Sequence, residues 1–451
     1  MYKFIKSDIP LYIQLYEQIK ERIKDGTRKA GEKLPSIRTL ANEYNLSKNT
    51  VQNAYNQLYA EGYIDSIAQK GYYVSEDLYQ DLTKPIDEQN KNTSTKKYKY
   101  DFYPAKLSSD TFPIKAWNKV YNKVLKEDID FGSYVNTQGL ESLRIELKKY
   151  LRSSRGVNCS EDQIVLCSGF SDAMFIVSLL LKDFTSSIAI EGDIYRVAKK
   201  VFTQMSYDIK YLSMTKQGID LNDLEKIKSK LIYLTPAHQY ITGVTIPIAN
   251  RIKILQWAQK TNSYIIEDDY DSELSYYNKP IPALQGINNN DRVIYFGTVS
   301  KSFSPALRVG YLILPKSLIS KYKECFDYPF SGISIDIQKT LELFLKEEYF
   351  IKHIRKVRTL NRKKHNLMKE SLKKELKDEM EIIREGSGLN ILIKLNSNIN
   401  KELLLKETQK VNIKIYNRKD DLYAMGFGGF KEDEIIQAIK EFAKVCKECK
   451  N

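Results

Sequence analysis

The stretch that decides the fold reads GTVSKSFSPALRVGY and spans residues 297–311. It directly follows the apolar run VIYF at 293–296, which predicts a buried strand with Lys301 just beyond its end. Upstream, the apolar run YII at 264–266 opens into EDDY at 267–270. An amine, a carboxylate and an arginine at strand ends are the groups needed by a cofactor that carries an aldehyde, a phosphate and a pyridine ring. The stretch therefore predicts a cofactor pocket as well as a sheet.

Around this stretch, apolar strand runs alternate with helical stretches from about residue 98 onward. The alternation is typical of an open α/β sheet that is mostly parallel and has helices on both faces. In such sheets ligands bind beyond the carboxyl ends of the strands. Four runs, at 163–167, 187–190, 231–234 and 264–266, each end in residues that suit a binding site.

The residues that follow these runs suit different parts of such a cofactor. Ser168, Gly169 and Phe170 precede a helix and offer backbone N–H groups and the helix dipole to a phosphate. The ring of Tyr195 can stack on a flat heterocycle, and His238 suits a pocket residue better than a general base. Each residue alone has an ordinary explanation as a loop or surface group. The combination, in this order, is far more specific.

Chemistry assigns a role to each remaining candidate. The Asp268 carboxylate would keep a pyridine nitrogen protonated, which makes the ring an electron sink. Lys301 would form a Schiff base, for which burial and nearby cations must lower its pKa. Tyr270 can donate to the phenolate oxygen of the ring. The phosphate would be held by Thr298, Ser300 and Arg308.

The N-terminal residues carry a different pattern. Apolar residues at positions 11, 15, 19 and 23 fall on one helical face, which ends at Asp25 and Gly26. Ser36 and Ser47 can each cap a further helix, and two short helices joined by a tight turn form a helix-turn-helix. Short strands at 63–65 and 72–74 follow, with Gly71 near their turn. Together these elements predict a winged helix-turn-helix.

The third of these helices presents a polar face for reading DNA. Amides of Asn and Gln pair with the adenine edge in the major groove, and lysine suits a phosphate. Arg38, on the preceding helix, can grip the DNA backbone. A solvated face, or a module that binds protein, is the alternative. The outward residues are Lys48, Asn49, Gln52, Asn53 and Asn56.

The length and the net charge of the chain bear on the number of domains and on the kind of partner. A chain of 451 residues predicts two or three domains. We expect the DNA reader at 1–74, a flexible polar linker at 75–97, a large part at 98–325 and a small α+β part at 326–451. The net charge of +14 suggests a polyanion partner, although residues 1–80 are nearly balanced in charge.

Other classes of protein are disfavoured. No run of about 18 apolar residues predicts a membrane span, and the first residues lack the apolar stretch of a secretory signal. Five scattered cysteines do not make a disulfide framework. The lone CKEC at 446–449 has no second pair, so no metal site is expected. These observations predict a cytoplasmic protein.

Residues 10–74 resemble the winged helix-turn-helix of GntR-type bacterial repressors. The runs that carry the resemblance are PLYIQLYEQIKERIKDG, GEKLPSIRTLANEYNLSKNTVQNAYNQLYAEGYI and KGYYV. The resemblance implies contacts to double-stranded operator DNA from the LPSIRTLA run, the start of the SKNTV helix and the wing. The wing turn reads QKG where the family has a Gly-Ser-Gly type of turn. By position the contacts are Ser36, Arg38, Ser47, Asn49, Thr50 and Gly71.

Residues from about 101 to 430 resemble fold-type I pyridoxal phosphate (PLP) proteins of the aspartate aminotransferase group. More narrowly, TPAHQYITG, IIEDDYDSE, IPALQ and GTVSKSFSPALRVGYLILP resemble the MocR/GabR-type regulators, in which such a domain follows a GntR-type reader. The resemblance implies that Lys301 forms the Schiff base with PLP. It further implies Asp268 as the pyridine partner, Tyr270 as the phenolate partner and Arg308 as the phosphate anchor.

The same resemblance implies two further tyrosine roles. Tyr195 would stack on the cofactor ring. Tyr134, in the run FGSYVNTQGLESLR, corresponds to a tyrosine that reaches the phosphate of the neighbouring subunit. The implied assembly is therefore a head-to-tail homodimer with composite pockets.

Departures from the family bear on the effector. The GABA-responsive member binds the effector carboxylate with two arginines, where this chain has Val197 and the glycines Gly428 and Gly429. Amino-acid capture would thus lose a bidentate ion pair, and Arg196 is the candidate substitute. The resemblance therefore predicts a PLP-binding, DNA-binding transcriptional regulator that senses PLP itself and controls vitamin B6 metabolism.

Three alternatives remain open. The first is an amino-acid- or amine-responsive regulator of the same family. The second is an active PLP-dependent aminotransferase, which the missing arginine disfavours because a transaminase must hold both an amino donor and a keto acceptor. The third is a DNA-binding scaffold with an inactive pocket.

Overall fold

The computed structural model of the chain describes two compact units, Met1–Lys96 and Lys97–Asn451. Apart from its two ends, the linker expected at 75–97 lies outside the described residues, as does Tyr195. The described residues are 2–5, 7–75, 97–192, 196–240, 242–277, 281–287, 291–328, 332–419 and 421–450.

The first unit is a winged helix-turn-helix, as predicted. The side chains of Ser36 and Ser47 cap its second and third helices, since their Oγ atoms accept from the N–H groups of Thr39 at 3.1 Å and Thr50 at 3.0 Å. The two wing strands pair antiparallel. The elements are α1 (Leu11–Lys24), α2 (Ile37–Glu43), α3 (Lys48–Ala60), β1 (Ile64–Ile67) and β2 (Gly71–Val74).

The apolar face of α1 packs against α3 in the core of this unit. Leu15, Ile19 and Ile23 are buried there, as their spacing predicted. Leu11, expected on the same face, is 45% exposed, because as the first residue of the helix it lies outside the core cluster. The first wing strand runs to Ile67 rather than ending at 65, with exposed side chains after Ile64.

The second unit begins with a short strand and a large α/β sheet. Its helices and strands up to residue 325 are β3 (Tyr100–Asp101), α4 (Ile114–Val124), α5 (Glu141–Arg155), β4 (Ile164–Cys167), α6 (Phe170–Leu180), β5 (Ser187–Glu191), α7 (Arg196–Gln204), β6 (Asp208–Leu212), β7 (Met214–Thr215), β8 (Gly218–Ile219), α8 (Leu221–Lys226), β9 (Leu231–Leu234), α9 (Ile248–Lys260), β10 (Tyr264–Asp269), α10 (Leu284–Ile287), β11 (Val293–Thr298), β12 (Gly310–Ile313) and α11 (Lys316–Cys325).

The large sheet has the strand order β4-β12-β11-β10-β9-β5-β6. All neighbouring strands pair parallel except β12, which is antiparallel to both β11 and β4. The central strands are buried at every position, which is why β9 and most of β11 are continuous apolar runs rather than alternating ones, while β10 ends in three buried acids. Because β4, β9, β10 and β11 point the same way, their carboxyl ends meet at one edge of the sheet.

The rest of the second unit is a smaller α+β part. Its elements are α12 (Ile335–Lys346), α13 (Tyr349–Leu376), β13 (Met380–Arg384), β14 (Asn390–Leu395), α14 (Lys401–Lys410), β15 (Ile413–Lys414), β16 (Asn417–Lys419), β17 (Leu422–Gly426) and α15 (Glu432–Glu448). Strands β13-β14-β17-β16 form an antiparallel sheet, and residues of α13 and α15 complete its core. Strand β3 pairs parallel with β15, so Tyr100 and Phe102 belong to this C-terminal core.

Membrane-spanning and metal-binding features are absent from the residues described. No helix in the described ranges is long and apolar enough to cross a membrane. The same ranges contain no group of three or more His, Cys, Asp or Glu side chains placed to hold a metal ion. Cys446 and Cys449 are free thiols buried in the C-terminal core, where they pack as small apolar groups.

Candidate functional site

The residues expected to read DNA lie on the surface of the first unit. Ser36, Ser47 and Gly71 are exposed, and the two serines also cap their helices. Thr50 is half-buried, and its hydroxyl lies 2.8 Å from Ser47 Oγ. Gln52 is engaged within the unit through Asn56 and the hydroxyl of Tyr72. Of the other residues expected to read DNA, those that are exposed are Arg38, Lys48, Asn49, Asn53 and Asn56.

Strand β10 is longer than its apolar run indicated, since it includes the three acids that follow. Glu267 and Asp269 point to the face opposite Asp268, because side chains alternate along a strand. Glu267 accepts from the N–H groups of Leu284 and Gln285 at 2.7 and 3.0 Å. Asp269 accepts from Tyr295 Oη at 2.6 Å and forms an ion pair with Arg155. The buried acids on that face are thus satisfied within the protein.

Asp268 is not fully satisfied. It is only 4% exposed, and one of its oxygens accepts from the hydroxyl of Tyr233. The other, Oδ1, is buried with no hydrogen-bond partner among the described residues. Burial raises the pKa of this carboxyl to about 8, and the neighbouring Asp269, Asp271 and Glu191 add to the rise. A cationic N–H donor placed at Oδ1 would both satisfy the oxygen and lower that pKa.

Lys301 follows β11 and lines a cavity of about 410 Å³, measured to its open mouth. Burial lowers the pKa of its amine to about 8, against the opposing effect of Asp271. The guanidinium groups of Arg418 and Arg384 contribute to the lowering. A large fraction of the amine is therefore neutral at slightly basic pH, which is the form that attacks an aldehyde.

Arg308 and Gly169 meet between β12 and the start of α6. Arg308 Nη2 donates to Ser168 O at 3.1 Å, and Arg308 has a positive φ of 53°. Gly169 also has a positive φ, and a Cβ there would lie 2.6 Å from Arg308 Nη2. The missing side chain is therefore what lets the guanidinium lie over this turn. Such a cradle of glycine, arginine and a helix start suits a phosphate.

The two hydroxyls expected around the phosphate at the end of β11 are close together, but one backbone N–H expected there already has an acceptor. Thr298 Oγ1 donates to Ser300 Oγ at 2.9 Å, which places both hydroxyls at the carboxyl end of β11. The N–H of Ser168, expected to be a phosphate donor, instead donates to Asp172 Oδ2 at 2.7 Å, because that carboxylate sits in the first turn of α6. The N–H of Gly169 donates to Cys167 O at 2.8 Å.

A chain of polar contacts runs from Tyr270 through His238. Tyr270 Oη lies 3.2 Å from His238 Nδ1, which itself lies 2.9 Å from Asp271 Oδ2. His238 Nε2 lies 2.6 Å from Ser387 Oγ. Ser387 belongs to the turn GSG at 386–388, which has no phosphate-loop spacing and gave no signal in the sequence. The contact with His238 is what brings this turn to the site.

The remaining candidates lie in different surroundings. Phe170 packs edge-on against Phe296 and Tyr233, with ring centroids 5.3 and 6.3 Å apart, at the start of α6. Tyr134 is 86% exposed and is not among the described residues that line the Lys301 cavity. Arg196, the candidate carboxylate partner, is exposed on α7 and likewise does not line it.

Several cavity residues carried no signal in the sequence. Most come from the C-terminal sheet and from loops without a strand-end pattern; Tyr240 lies in the TPAHQYITG run but was not singled out there. They are Pro104, Ala105, Tyr240, Leu274, Arg384, Leu389, Asn390 and Arg418.

The site has the donor set that PLP requires. The unpartnered Asp268 oxygen fits the pyridine nitrogen, and the arginine over Gly169 fits the phosphate. Lys301, with its lowered pKa, lies in the cavity with Tyr270. The Asp268, Lys301 and Arg308 positions belong to adjacent strands β10, β11 and β12, so one edge of one sheet carries all three.

Comparison with known proteins agrees with this geometry. The gntR family of bacterial regulatory proteins matches residues 11–74, and aminotransferase class I and II matches residues 104–431. The "Probable rhizopine catabolism regulatory protein MocR" of Rhizobium meliloti is 27% identical over 89% of this chain and 85% of its own length. The chain is a MocR-type regulator. It belongs to the aminotransferase class I and II family and carries a GntR-type DNA-binding domain before it.

Two further relatives of this MocR-type regulator cover 98% and 77% of its length. The "Uncharacterized HTH-type transcriptional regulator YdeL" of Bacillus subtilis is 34% identical over 98% of this chain and 97% of its own length. The "HTH-type pyridoxine biosynthesis transcriptional regulator PdxR" of Corynebacterium glutamicum is 27% identical over 77% of this chain and 75% of its own length.

Solved structures show the fold of the second unit. The kynurenine aminotransferase of Pyrococcus horikoshii superposes with a TM-score of 0.70 at 22% identity, over 79% of this chain and 92% of that enzyme. An archaeal alanine:glyoxylate aminotransferase gives a TM-score of 0.70 at 23% identity, over 77% and 91% of the two chains. The fold-type I assignment is therefore confirmed, and the domain implies PLP binding.

Proposed function

We propose that this MocR-type regulator binds PLP at Lys301 and that occupancy of the site sets its affinity for operator DNA. PLP would then be the first signal that the protein senses, which links it to vitamin B6 metabolism. The observation that carries the proposal is the buried Asp268 Oδ1, which has no partner among the residues that the structure describes, in the same unit as a lysine of lowered pKa.

Each residue of the site supplies one interaction to the bound cofactor. Asp268 would bind the pyridine nitrogen, and Tyr270 would donate to the ring oxygen. Arg308, together with the Thr298, Ser300 and Ser168 hydroxyls, would hold the phosphate. When bound, PLP supplies an electron-accepting ring and an aldehyde that amines can reach.

Two further parts of the proposal concern the DNA and the partner subunit. Lys48, Asn49 and Asn53 on the exposed face of α3 would contact the operator, with Arg38 on the backbone. Tyr134, 86% exposed, is available to a second copy of the chain, which supports the head-to-tail homodimer. As a DNA-binding protein it would act in the cytoplasm.

A second candidate function is favoured by one observation. Arg384 and Arg418 line the Lys301 cavity. The arginines that the GABA-responsive family member uses are replaced in this chain by Val197 and the glycines at 428–429. An amino-acid- or amine-responsive regulator of the same architecture would use such arginines. A working aminotransferase would use them too, and steady turnover of an amino acid with 2-oxoglutarate would reveal it.

The proposal is tested with the full chain, its own upstream promoter DNA and PLP. We expect Lys301→Ala to lose the yellow colour of bound cofactor and the response of DNA affinity to PLP, while retaining binding to DNA. Lys260→Ala removes an exposed lysine of α9 and serves as the matched control. A Lys301→Ala protein that stays yellow, or a wild-type affinity for DNA that ignores PLP, would contradict the proposal.

A further inference from the structure

A second cavity, of about 680 Å³ measured to its open mouth, adjoins the one at Lys301, because Asp271 lines both. His238 and Ser387 also line this second cavity. His238 follows β9, Asp271 follows β10, and Ser387 lies in the turn between β13 and β14. A Cβ at Gly388 would lie 2.9 Å from Asp271 Oδ2, so the glycine lets this turn approach the other two residues.

The three side chains stand in a row at hydrogen-bond distances. Asp271 Oδ2 lies 2.9 Å from His238 Nδ1, and His238 Nε2 lies 2.6 Å from Ser387 Oγ. Because a carboxylate only accepts, Nδ1 is the donor to Asp271 and carries the ring proton. The lone pair of Nε2 then accepts from the hydroxyl of Ser387. In this arrangement a histidine is oriented by a carboxylate and acts as a base towards a serine.

Tyr270 is compatible with this placement of the ring proton. Its Oη lies 3.2 Å from His238 Nδ1 and also 3.2 Å from His238 O. Since the hydroxyl can donate to the carbonyl oxygen, it needs no lone pair on Nδ1 and can itself accept from the Nδ1–H. Nε2 therefore remains the basic nitrogen of the ring.

The backbone at Ser387 adds a hydrogen-bond donor beside the hydroxyl. Ser387 forms an antiparallel bridge with Ser275. The N–H of Tyr276 donates to the carbonyl before Ser387, and the N–H after Ser387 donates to Leu274 O, both at 3.0 Å. Because the flanking residues make these bonds, the N–H of Ser387 itself points away from the ladder. It is placed to stabilise negative charge on a carbonyl oxygen that the hydroxyl attacks.

The other ionisable side chains that line this cavity among the described residues already have partners. Arg155 is paired with Asp269, and Glu385 is paired with Lys369 at 2.8 Å. A charged ligand would find no uncommitted counter-ion in this lining, so the cavity suits a neutral one. A single backbone donor stabilises an oxyanion less than two donors do, which favours an ester over the less reactive amide.

We propose that Ser387 and His238, positioned by Asp271, hydrolyse small neutral carboxylic esters. Ser387 Oγ attacks the carbonyl carbon while His238 Nε2 takes the hydroxyl proton. The bond from that carbon to the alcohol oxygen breaks, and the alcohol leaves with the proton. Water then attacks the acyl-serine, His238 again takes and returns a proton, and the carboxylic acid is released with Ser387 restored. This reaction needs no cofactor and goes beyond the proposed function.

Ester turnover by the full-length protein tests the proposal. The probes are p-nitrophenyl acetate and butyrate, followed by the absorbance of released p-nitrophenol, and a fluorophosphonate that labels activated serines. We expect saturable hydrolysis that continues well beyond one equivalent of ester, because surface amines are acylated only once. Peptide mass spectrometry should place the fluorophosphonate on Ser387.

Variants assign the activity to these residues. Ser387→Ala should lower kcat/KM at least about 100-fold and lose the label, whereas Ser387→Cys, which keeps a nucleophile, should still be acylated. Asp271→Asn should lower kcat at least about 100-fold with little change in KM, because it alters the histidine and not the ester contacts. Ser397→Ala, at an exposed serine, is the matched control and should be unaffected.

Three results would overturn the proposal, provided that circular dichroism shows the variants folded. They are the absence of saturable turnover by the wild-type chain, a fluorophosphonate label that does not fall on Ser387, and wild-type turnover by Ser387→Ala. None of these measurements involves DNA or added PLP, so they leave the test of the proposed function separate.

Discussion

Arg155 and Asp269 form a buried two-point ion pair, with Nε 2.6 Å from Oδ2 and Nη2 3.1 Å from Oδ1. Both side chains are at most 5% exposed. Because the pair neutralises Asp269, the neighbouring Asp268 on the opposite face is the acid of β10 left for a ligand.

Breaking this pair should cost a large part of the stability of the second unit. Arg155→Met leaves Asp269 buried and unpaired, and we expect a loss of about 3–5 kcal/mol in the free energy of unfolding. Lys149→Met, which breaks an exposed pair with Glu146 at 2.7 Å, should cost less than about 1 kcal/mol. Urea denaturation measures both; equal costs for the two variants would show that the buried pair has no special weight.

The stability of the cofactor-free protein should fall as pH rises towards 8. Burial raises the pKa of Asp268 from 3.8 to about 8, so between these values the unfolded chain ionises first and is favoured. The pKa values of Glu191, Glu267 and Glu273, each raised by burial to about 7, act in the same direction. Asp268→Asn should flatten the slope by about 1 kcal/mol per pH unit between pH 6 and 8. Thermal denaturation across this range measures the slope, and an unchanged slope would refute the assignment.

The rate at which added PLP becomes bound should depend on the protonation of Lys301. Because burial lowers the pKa of this amine from 10.5 to about 8, its reactive neutral form should accumulate as pH rises through about 8. Stopped-flow absorbance should therefore show a rate that levels off above this pH. For free N-acetyl-lysine methylamide, the control, the rate of reaction with PLP should still be increasing above this pH. A protein profile that follows the free amine would contradict the lowered pKa.

The close approach of Arg308 to Gly169 predicts a strong effect of a single methyl group. Gly169→Ala combines a φ of +82° with a Cβ that would lie 2.6 Å from Arg308 Nη2. We expect PLP affinity to fall about 10- to 100-fold as the arginine is displaced from the phosphate. Gly156→Ala is the matched control, because its φ is +67° but the nearest atom is 3.7 Å away. It should cost about 1 kcal/mol of stability and leave PLP affinity intact, as equilibrium titration would show.

The face of α3 predicts two kinds of DNA variant. Lys48→Ala should weaken binding to all sequences alike and reduce the salt dependence by about one counterion. Asn49→Ala should cost about 1–3 kcal/mol on the operator and little on unrelated DNA. Fluorescence anisotropy at several salt concentrations separates these outcomes, with Lys29→Ala as the charge control on an exposed loop. If both variants behave like Lys29→Ala, α3 is not the reading helix.

The sequence predicted the sheet well because its central strands are buried on both faces. Strand β9 matches its apolar run of 231–234 at both ends, since hydrophobic burial alone defines it. Strand β10 could not be delimited in the same way, because its acids are satisfied by Arg155, Tyr295 and backbone N–H groups from remote segments. The partners of buried polar groups are a tertiary property that no local pattern contains.

The sequence marked the cavity residues at the edge of the large sheet, but it did not mark those from the C-terminal sheet. Asp268 lies near the carboxyl end of β10, and Lys301 and Arg308 lie in the segment between β11 and β12, at the edge where the carboxyl-edge rule applies. Arg384 and Arg418 belong to an antiparallel sheet, for which no comparable rule locates a ligand. The expectation from the sequence considered only positions known from relatives, so it did not identify Arg384 and Arg418 as cavity residues.

The pairing of β3 with β15 determines where the first residues of the second unit lie within that unit. The chain that leaves the DNA reader enters the second unit at β3 and continues directly through Pro104 and Ala105, which line the Lys301 cavity. Pro104 O accepts from Asn390 Nδ2 at 3.2 Å, and Asn390 in turn holds Arg384. The first residues of the second unit are thus joined through Asn390 to β13, and both segments line one cavity of that unit.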